Sequence, residues 1–255
     1  MIYSIEFFDL QLRFAAKVAE LVGVPLAQAI GSHTNIFVRL GFGTRLDHSD
    51  SDWSMFASSL SRARDPLTRT YEVYRQRAHI SQGPKMEASV GCFSIAPFGP
   101  DAVRIHFKTG AESPHSPLSL SNMRARRTEL AEVVSRAAAR GRNVQVVGAS
   151  WLYNLPCYRR LFPESYLAGL TPMAHPYDRM PLWGQFLRRD GSVRAGPVDH
   201  FNAHLALAKT AADLSACFPL QVLRTSGRAD VFLVGLGAHR GRIGTPPERP
   251  ETDRC

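Results

Sequence analysis

Apolar side chains recur every three to four positions over the first 80 residues, which is the spacing of amphipathic helices. The pattern predicts two helices within 9–40, because Gly23 can end the first and Pro25 suits the start of the second. Two further helices are predicted over 53–60 and 66–78. We therefore expect residues 1–80 to form an all-helical N-terminal part.

The apolar period falls to two after the turn-forming stretch 81–84, which indicates β-strands and a change of domain. Two strands within 90–96 and 102–108 are predicted to form an antiparallel hairpin. In the second strand the apolar side chains alternate with Arg104, His106 and Lys108, so one face of the strand is polar.

The remaining pattern predicts a mixed α/β (α+β) domain over 85–238, with a β-sheet and flanking helices. Helices are expected over 122–140, 155–162 and 197–217, and strands over 144–149, 165–170, 182–187 and 220–225. The apolar run 229–236 fits either a helix or a strand. Residues 239–255 hold Gly, Pro and charges with little to bury, which predicts a disordered tail.

The charge balance favours anionic partners. The chain of 255 residues has a net charge of +9 and a pI of about 9.8. The excess is mostly arginine, spread without lysine runs or an RNA-type aromatic motif, which argues against nucleic acid.

No apolar run has the length of a membrane span, no secretion signal opens the chain, and the cysteines lack disulfide-dense spacing. A cytoplasmic protein is the expectation.

Histidines provide one candidate chemistry. His200 and His204 are four residues apart on a predicted helix, a spacing that zinc can use. Phe201 occupies the position of a metalloprotease glutamate, so no metal is expected from this pair alone. A metal-dependent hydrolase remains an alternative; it requires His106, His175, His200 or His204 to converge with a carboxylate. The chain contains no G-x-S-x-G elbow, no P-loop and no dinucleotide fingerprint.

The stretch 141–162 indicates where a ligand would bind. A buried strand breaks at Ser150 and Trp151 just before a short basic helix, and open α/β sheets bind ligands at such strand ends. Trp151 and Trp183, near the polar Ser150 and Gln185, suit the wall of a substrate site.

The order strand, helix, strand, helix over 103–162 resembles the core of the GNAT acyltransferase fold. Asn154-Leu-Pro-Cys157 is similar to the Asn-x-x-Ala pattern of that fold. The phrase SWLYNLPCYRRLFPESY followed by LWGQF looks like the GNAT-like domain that some bacterial proteins carry behind a helical N-terminal domain. Residues 109–122 lack the family's pyrophosphate signature, and Leu161 occupies the position of its frequent acid tyrosine.

The resemblance implies an acyltransferase that moves an acyl group from a coenzyme A or acyl-carrier thioester to an amine or hydroxyl. The thioester would lie between the strands 103–108 and 144–149. The resemblance gives the roles as follows: His106 as general base, Tyr158 or Tyr153 as acid, Asn154 and Ser150 at the pantetheine arm, Ser119, Ser121 and Arg124 at the phosphate, and Trp151, Trp183 and Gln185 at the substrate. No metal is expected, and an acyl carrier protein is a possible partner.

A second alternative is a non-catalytic module of GNAT-like shape that binds a small molecule or a protein. It explains the missing phosphate signature, and it predicts a shallow or filled cleft between the two central strands.

Overall fold

The computed structural model describes residues 2–77, 79–80, 85–108, 116–141, 143–173 and 182–238. The protein is mixed α/β, as the sequence predicts, with a six-stranded sheet and flanking helices. The chain divides into two compact units. Unit 1 comprises residues 1–84 and 175–220, and unit 2 comprises residues 85–174 and 221–255.

Unit 1 is built from helices. They are α1 (Ile5–Val22), α2 (Leu26–His33), α3 (Ile36–Arg39), α4 (Ser51–Arg62), α5 (Pro66–Arg77) and α9 (Ala195–Leu207), with short 3-10 helices at Trp183–Phe186 and Ala212–Cys217. The helix α1 ends at Gly23, whose φ of 74° is readily adopted by a residue without a Cβ atom. The Asp50 carboxylate caps α4 by accepting bonds from the backbone N–H groups of Asp52 and Trp53.

An aromatic cluster forms part of the core of unit 1. Trp183 is fully buried and lies 5.6 Å from Phe14, 5.2 Å from Phe218 and 6.1 Å from Phe201, measured between ring centroids. The segment 182–220 therefore completes the core around α1, although the sequence prediction grouped it with the α/β domain.

Unit 2 contains the sheet. Its strands are β1 (Ala88–Val90), β2 (Phe93–Pro97), β3 (Ala102–Phe107), β4 (Gln145–Ser150), β5 (Thr171–Pro172) and β6 (Leu223–Arg228), in the spatial order β1-β2-β3-β4-β6-β5. Its helices are α6 (Met123–Ala138), α7 (Pro156–Arg159), α8 (Glu164–Leu167) and α10 (Ala229–Ala238), with 3-10 helices at Leu120–Asn122 and Trp151–Asn154.

One face of this sheet carries the core of unit 2. The apolar side chains of β2, β3 and β4 pack with α6, α10 and an aromatic group that follows β4. The alternation predicted for β3 is confirmed, since Val103 and Ile105 are buried in this core and Arg104 and His106 are partly exposed on the opposite face. Burial of one face therefore determines the register of β3.

Several predicted elements differ from the observed ones. Residues 165–170, predicted as a strand, fall largely within α8 and the turn after it, and residues 182–187 form a 3-10 helix instead of a strand. The predicted helix 197–217 is α9 followed by a separate 3-10 helix, and the ambiguous run 229–236 is helical. Short apolar runs carry too few positions to reveal their period, so long-range packing decided these segments. The predicted tail 239–255 lies outside the described residues.

No single helix in the described part of the chain is long and apolar enough to cross a bilayer. The pair α1 and α2 meets the requirement only jointly, and the two are bent by 116° at their break.

Candidate functional site

The central strands β3 and β4 are parallel, and their pairing is short. Ala102, Val103 and Arg104 pair with Gln145, Val146 and Val147, and the ladder ends there. Beyond that point β3 continues through 105–107, paired with β2, and β4 continues through 148–150, paired with β6. The two strands therefore separate, and we call the opening between 105–107 and 148–150 the β3–β4 gap.

The gap leaves backbone groups available. No β-ladder pairs the facing sides of 105–107 and 148–150 within the described residues. Alternate residues of an antiparallel pair turn their N–H groups to the partner strand, so those of His106, Gly148 and Ser150 point to β2 or β6, and those of Phe107 and Ala149 face the gap. They can hold the oxygen of a carbonyl group in an oxyanion-type contact.

Tyrosine side chains close the gap on the core face of the sheet. Tyr153 is 1% exposed and its hydroxyl group lies against the backbone of β4 at Gly148, where a Cβ atom would overlap it. The hydroxyls of Tyr153 and Tyr166 are 3.4 Å apart and hydrogen-bond to each other. The Tyr166 backbone oxygen accepts a bond from Thr225, which joins this pair to β6.

Tyr158 lies beside them. Its ring is 5.5 Å from that of Phe107 at the end of β3 and 5.2 Å from that of Tyr153. Burial raises the pKa of the Tyr158 and Tyr153 hydroxyls well above the ordinary value of tyrosine, and each is raised further by the tyrosine beside it. Both hydroxyls are therefore protonated at neutral pH and act as hydrogen-bond donors.

The opposite face of β2 and β3 is polar. His106 is directly opposite Ser94 in the register, and Arg104 is opposite Ala96. Desolvation, followed by the positive charges of Arg104 and Lys108, lowers the pKa of His106 to about 4. The imidazole is therefore neutral at pH 7 and can accept a hydrogen bond, but it is a weak base.

Asn154 holds the chain after β4 in place. Its Nδ2 atom donates to the backbone oxygen of Trp151 at 2.7 Å and to that of Gln221 at 2.8 Å. These bonds occupy both hydrogens, so only the Oδ1 atom can contact a ligand. Ser150 accepts a bond from the Leu152 N–H and caps the following 3-10 helix, and its own hydroxyl donates no hydrogen bond to the residues that the structure describes.

The predicted phosphate residues lie at the start of α6. The hydroxyls of Ser119 and Ser121 are 2.9 Å apart, and Arg124 is exposed in the first turn. Arg126 pairs with Glu129 and contacts the Cys92 sulfur, and Arg127 donates to the backbone oxygen of Arg160. Of the three arginines, only the Arg124 guanidinium has no bonding partner among the described residues.

The predicted substrate wall is not assembled as expected. Trp183 and Gln185 are buried in unit 1, where Trp183 donates to the His33 backbone oxygen and the Gln185 side chain bonds Leu182 and Leu220. Both are core residues of unit 1, since they are buried there and their polar groups form hydrogen bonds within that unit. Trp151 is partly exposed and follows β4 directly, so it is the member of the wall that belongs to unit 2.

The histidines do not form a metal centre in the described part of the chain. The rings of His200 and His204 stack at 4.0 Å, and each has a ring nitrogen bonded to a backbone oxygen. No group of three His, Cys, Asp or Glu side chains suitable for a metal ion occurs among the residues described. His175 lies outside them.

Sequence reasoning missed three residues, two at the gap and one on the polar face of β2 and β3. Gly148 and Tyr166 meet at the gap only through the fold, and Ser94 reaches the polar face only through its pairing with His106. The period-two pattern of β2 could have placed Ser94 on that face.

Comparisons of the chain with protein-family models, curated proteins and solved structures found no match.

Proposed function

We propose that unit 2 is a GNAT-like acyltransferase domain, which moves an acyl group from a coenzyme A or acyl-carrier thioester to an amine or hydroxyl acceptor. The observation that carries the proposal is the early end of the β3–β4 ladder after Arg104 and Val147. It leaves an opening at the place where the resemblance puts the thioester arm.

The layout around the gap supports the same proposal. The strands β3 and β4 are parallel and joined through α6, and the chain leaves β4 into the short helices that carry Tyr153 and Tyr158. This is the strand, helix, strand, helix order on which the resemblance rests. Ligands of open α/β sheets bind outside the carboxyl ends of the strands, where the gap lies.

Donor binding follows from the groups at the gap. The thioester carbonyl would accept hydrogen bonds from the backbone N–H groups of Phe107 or Ala149, which face the gap. The Oδ1 atom of Asn154 would accept from a pantetheine amide N–H, since its nitrogen is already used. Phosphate groups would lie near Ser119, Ser121 and Arg124 at the start of α6, where the helix dipole favours anions.

The transfer step needs a neutral acceptor. The nitrogen of an amine attacks the thioester carbonyl carbon, the C–N bond forms, and the C–S bond breaks. With a pKa of about 4, His106 cannot remove a proton from an ammonium ion, so it can only orient an acceptor that arrives neutral. The raised pKa values of Tyr153 and Tyr158 keep both hydroxyls protonated, and these hydroxyls would stabilise the departing sulfur by donating hydrogen bonds. The proton released by the nitrogen neutralises the thiolate.

The test uses the full chain with acyl-CoA and acyl-carrier panels. Calorimetry measures binding of coenzyme A, and mass spectrometry detects an acylated amine or hydroxyl. We expect Ala149→Phe to abolish binding, because Ala149 borders the gap, and Ser226→Phe to bind normally, because Ser226 is an exposed position on β6 and β4 separates it from the gap. Absence of both bound donor and acylated acceptor across the panels would refute the proposal.

A non-catalytic binding module is the second candidate. Two observations favour it: the Tyr153 hydroxyl occupies the space beside Gly148, and the acid–base groups are poorly matched to proton transfer at neutral pH. This candidate predicts that the protein retains a ligand through purification and forms no product with any donor. Product formation that is lost in Ala149→Phe excludes it.

A further inference from the structure

The polar face of β2 and β3 holds a positive charge for which the described residues supply no counter-ion. Arg104 is partly buried, and desolvation lowers its pKa. Its guanidinium lies 5.8 Å from the ring centroid of Phe98 and forms no ion pair or hydrogen bond with any residue that the structure describes. A desolvated cation without an anion is costly, so proteins normally pair it.

A buried hydroxyl group on the same face also lacks a partner. Ser94 is 4% exposed, and its Oγ atom has no hydrogen bond to the described residues. Ser94 is directly opposite His106 on β3 and diagonal to Arg104, which is within the reach of a long side chain. Buried hydroxyls are nearly always hydrogen-bonded, so an unpaired one indicates a missing acceptor.

We propose that Arg104, Ser94 and His106 bind the carboxylate group of one of the two substrates, beside the β3–β4 gap. The inference rests on the proposed function, because it makes that group part of an acyl acceptor or of a dicarboxylic acyl chain. Arg104 belongs to the last pair of the β3–β4 ladder and His106 lies on the strand that borders the gap, so the anion would lie next to the thioester.

The charge on this face selects a carboxylate over a phosphate. His106 is neutral at pH 7 and Lys108 is exposed, which leaves one partly buried positive charge, that of Arg104. A carboxylate carries a single negative charge and accepts two parallel bonds from a guanidinium. A phosphate monoester carries about two negative charges at neutral pH and would remain partly uncompensated.

The experiment compares ligands of equal length that differ only in the carboxylate. In the acceptor arm, β-alanine is compared with propylamine, and in the donor arm, succinyl-CoA with butyryl-CoA, with the full chain in each case. We expect one arm to show at least about tenfold tighter binding of the acid, as for a charge-assisted bond. The arm that shows it identifies the substrate that bears the anion. Equal affinities in both arms would overturn the inference.

Three variants assign the preference to this face. Arg104→Gln should reduce the preference to within about twofold, and Ser94→Ala should weaken binding of the acid by about threefold to tenfold. Arg228→Gln is the control, since Arg228 lies on β6 and pairs with Asp230. Thermal melts establish whether each variant folds. If Arg104→Gln does not fold, Ser94→Ala still tests the assignment. Unchanged preference in the folded variants would refute the assignment.

Coenzyme A itself separates this inference from the proposed function, because it has no carboxylate. If coenzyme A binds and neither arm shows a preference, only the carboxylate inference fails. If coenzyme A does not bind and no product forms while β-alanine is still preferred, the acyltransferase proposal fails and the anion site remains.

Discussion

At the scale of single residues, Gly148 is a closely packed position at the gap. A methyl group there would overlap the Tyr153 hydroxyl and lie 2.6 Å from that of Tyr166. We expect Gly148→Ala to lower the free energy of unfolding by about 1–3 kcal/mol, as overpacking does in other cores. Urea unfolding measures the change.

Two further variants test the cause of that change. Gly237→Ala is the matched control, because no atom lies within 4 Å of a Cβ atom added at this position of α10, and it should leave stability equal or slightly higher. Adding Tyr153→Phe to Gly148→Ala should recover part of the loss, since it removes the overlapping oxygen. No recovery in the double variant would show that the strain has another origin.

The lowered pKa of His106 has a consequence for stability in acid. Its folded value of about 4 lies below the ordinary value of 6.5, so between these pH values the unfolded chain binds more protons than the folded chain. This histidine therefore makes the free energy of unfolding fall as the pH falls from 6.5 towards 4. The groups that oppose its charge are Arg104 and Lys108 on its own strand, while Ser94 opposite it on β2 has no charge.

We expect His106→Gln to remove that part of the acid sensitivity. Urea unfolding at pH 7 and pH 4.5 should show a smaller drop in the variant than in the wild type, by at most roughly 3 kcal/mol. His48→Gln, at an exposed loop position, is the control and should match the wild type. An equal drop in His106→Gln and wild type would contradict a lowered pKa.

At the scale of elements, α6 begins with arginines where its dipole favours acids. Its first turn has no acidic residue, and the Arg124 side chain is exposed. We expect Arg124→Glu to raise the free energy of unfolding by about 0.3–1 kcal/mol and to weaken coenzyme A binding at the same time. Thermal melts and calorimetry measure the two effects on one variant.

Arg136→Glu is the control at the other end of α6. It breaks the 2.7 Å pair with Glu132 and puts a negative charge at the helix C-terminus, so it should lower stability and leave binding unchanged. If Arg124→Glu gains stability and binds coenzyme A as tightly as the wild type, the phosphate groups do not lie at this helix.

The elements also show where sequence patterns suffice. Helices α4, α5 and α6 and strands β2, β3 and β4 match their predictions within a few residues, because each has several apolar positions at one clear period. The segments that were wrong, 165–170 and 182–187, are short and have Pro or Gly nearby. Their local preference is weak, and contacts with distant residues decided their structure.

At the scale of the whole molecule, unit 1 is discontinuous in sequence, since its core requires Trp183 from the segment that follows most of the sheet. We expect Trp183→Ala to destabilise unit 1 by about 3–5 kcal/mol, the range for loss of a buried tryptophan. Hydrogen exchange should become faster in α1 and α9.

Trp151→Ala makes the same change at a partly exposed position of unit 2, and its effect should be smaller and appear around β4. Loss of protection in the sheet but not in α1 would contradict the assignment of Trp183 to unit 1.

The sequence alone determined the class of fold, the two faces of β3 and the break of the chain at Ser150, because periodicity and chain-breaking residues act locally. Only the tertiary structure decided which strands are neighbours, where the β3–β4 ladder ends, and that Trp183 and Gln185 belong to the helical unit. These features depend on contacts between residues far apart in the chain, and a local pattern does not encode them. The proposed anion site likewise follows from the pairing of β2 with β3, which puts Ser94 opposite His106, and from the end of the β3–β4 ladder at Arg104, which puts the site beside the gap.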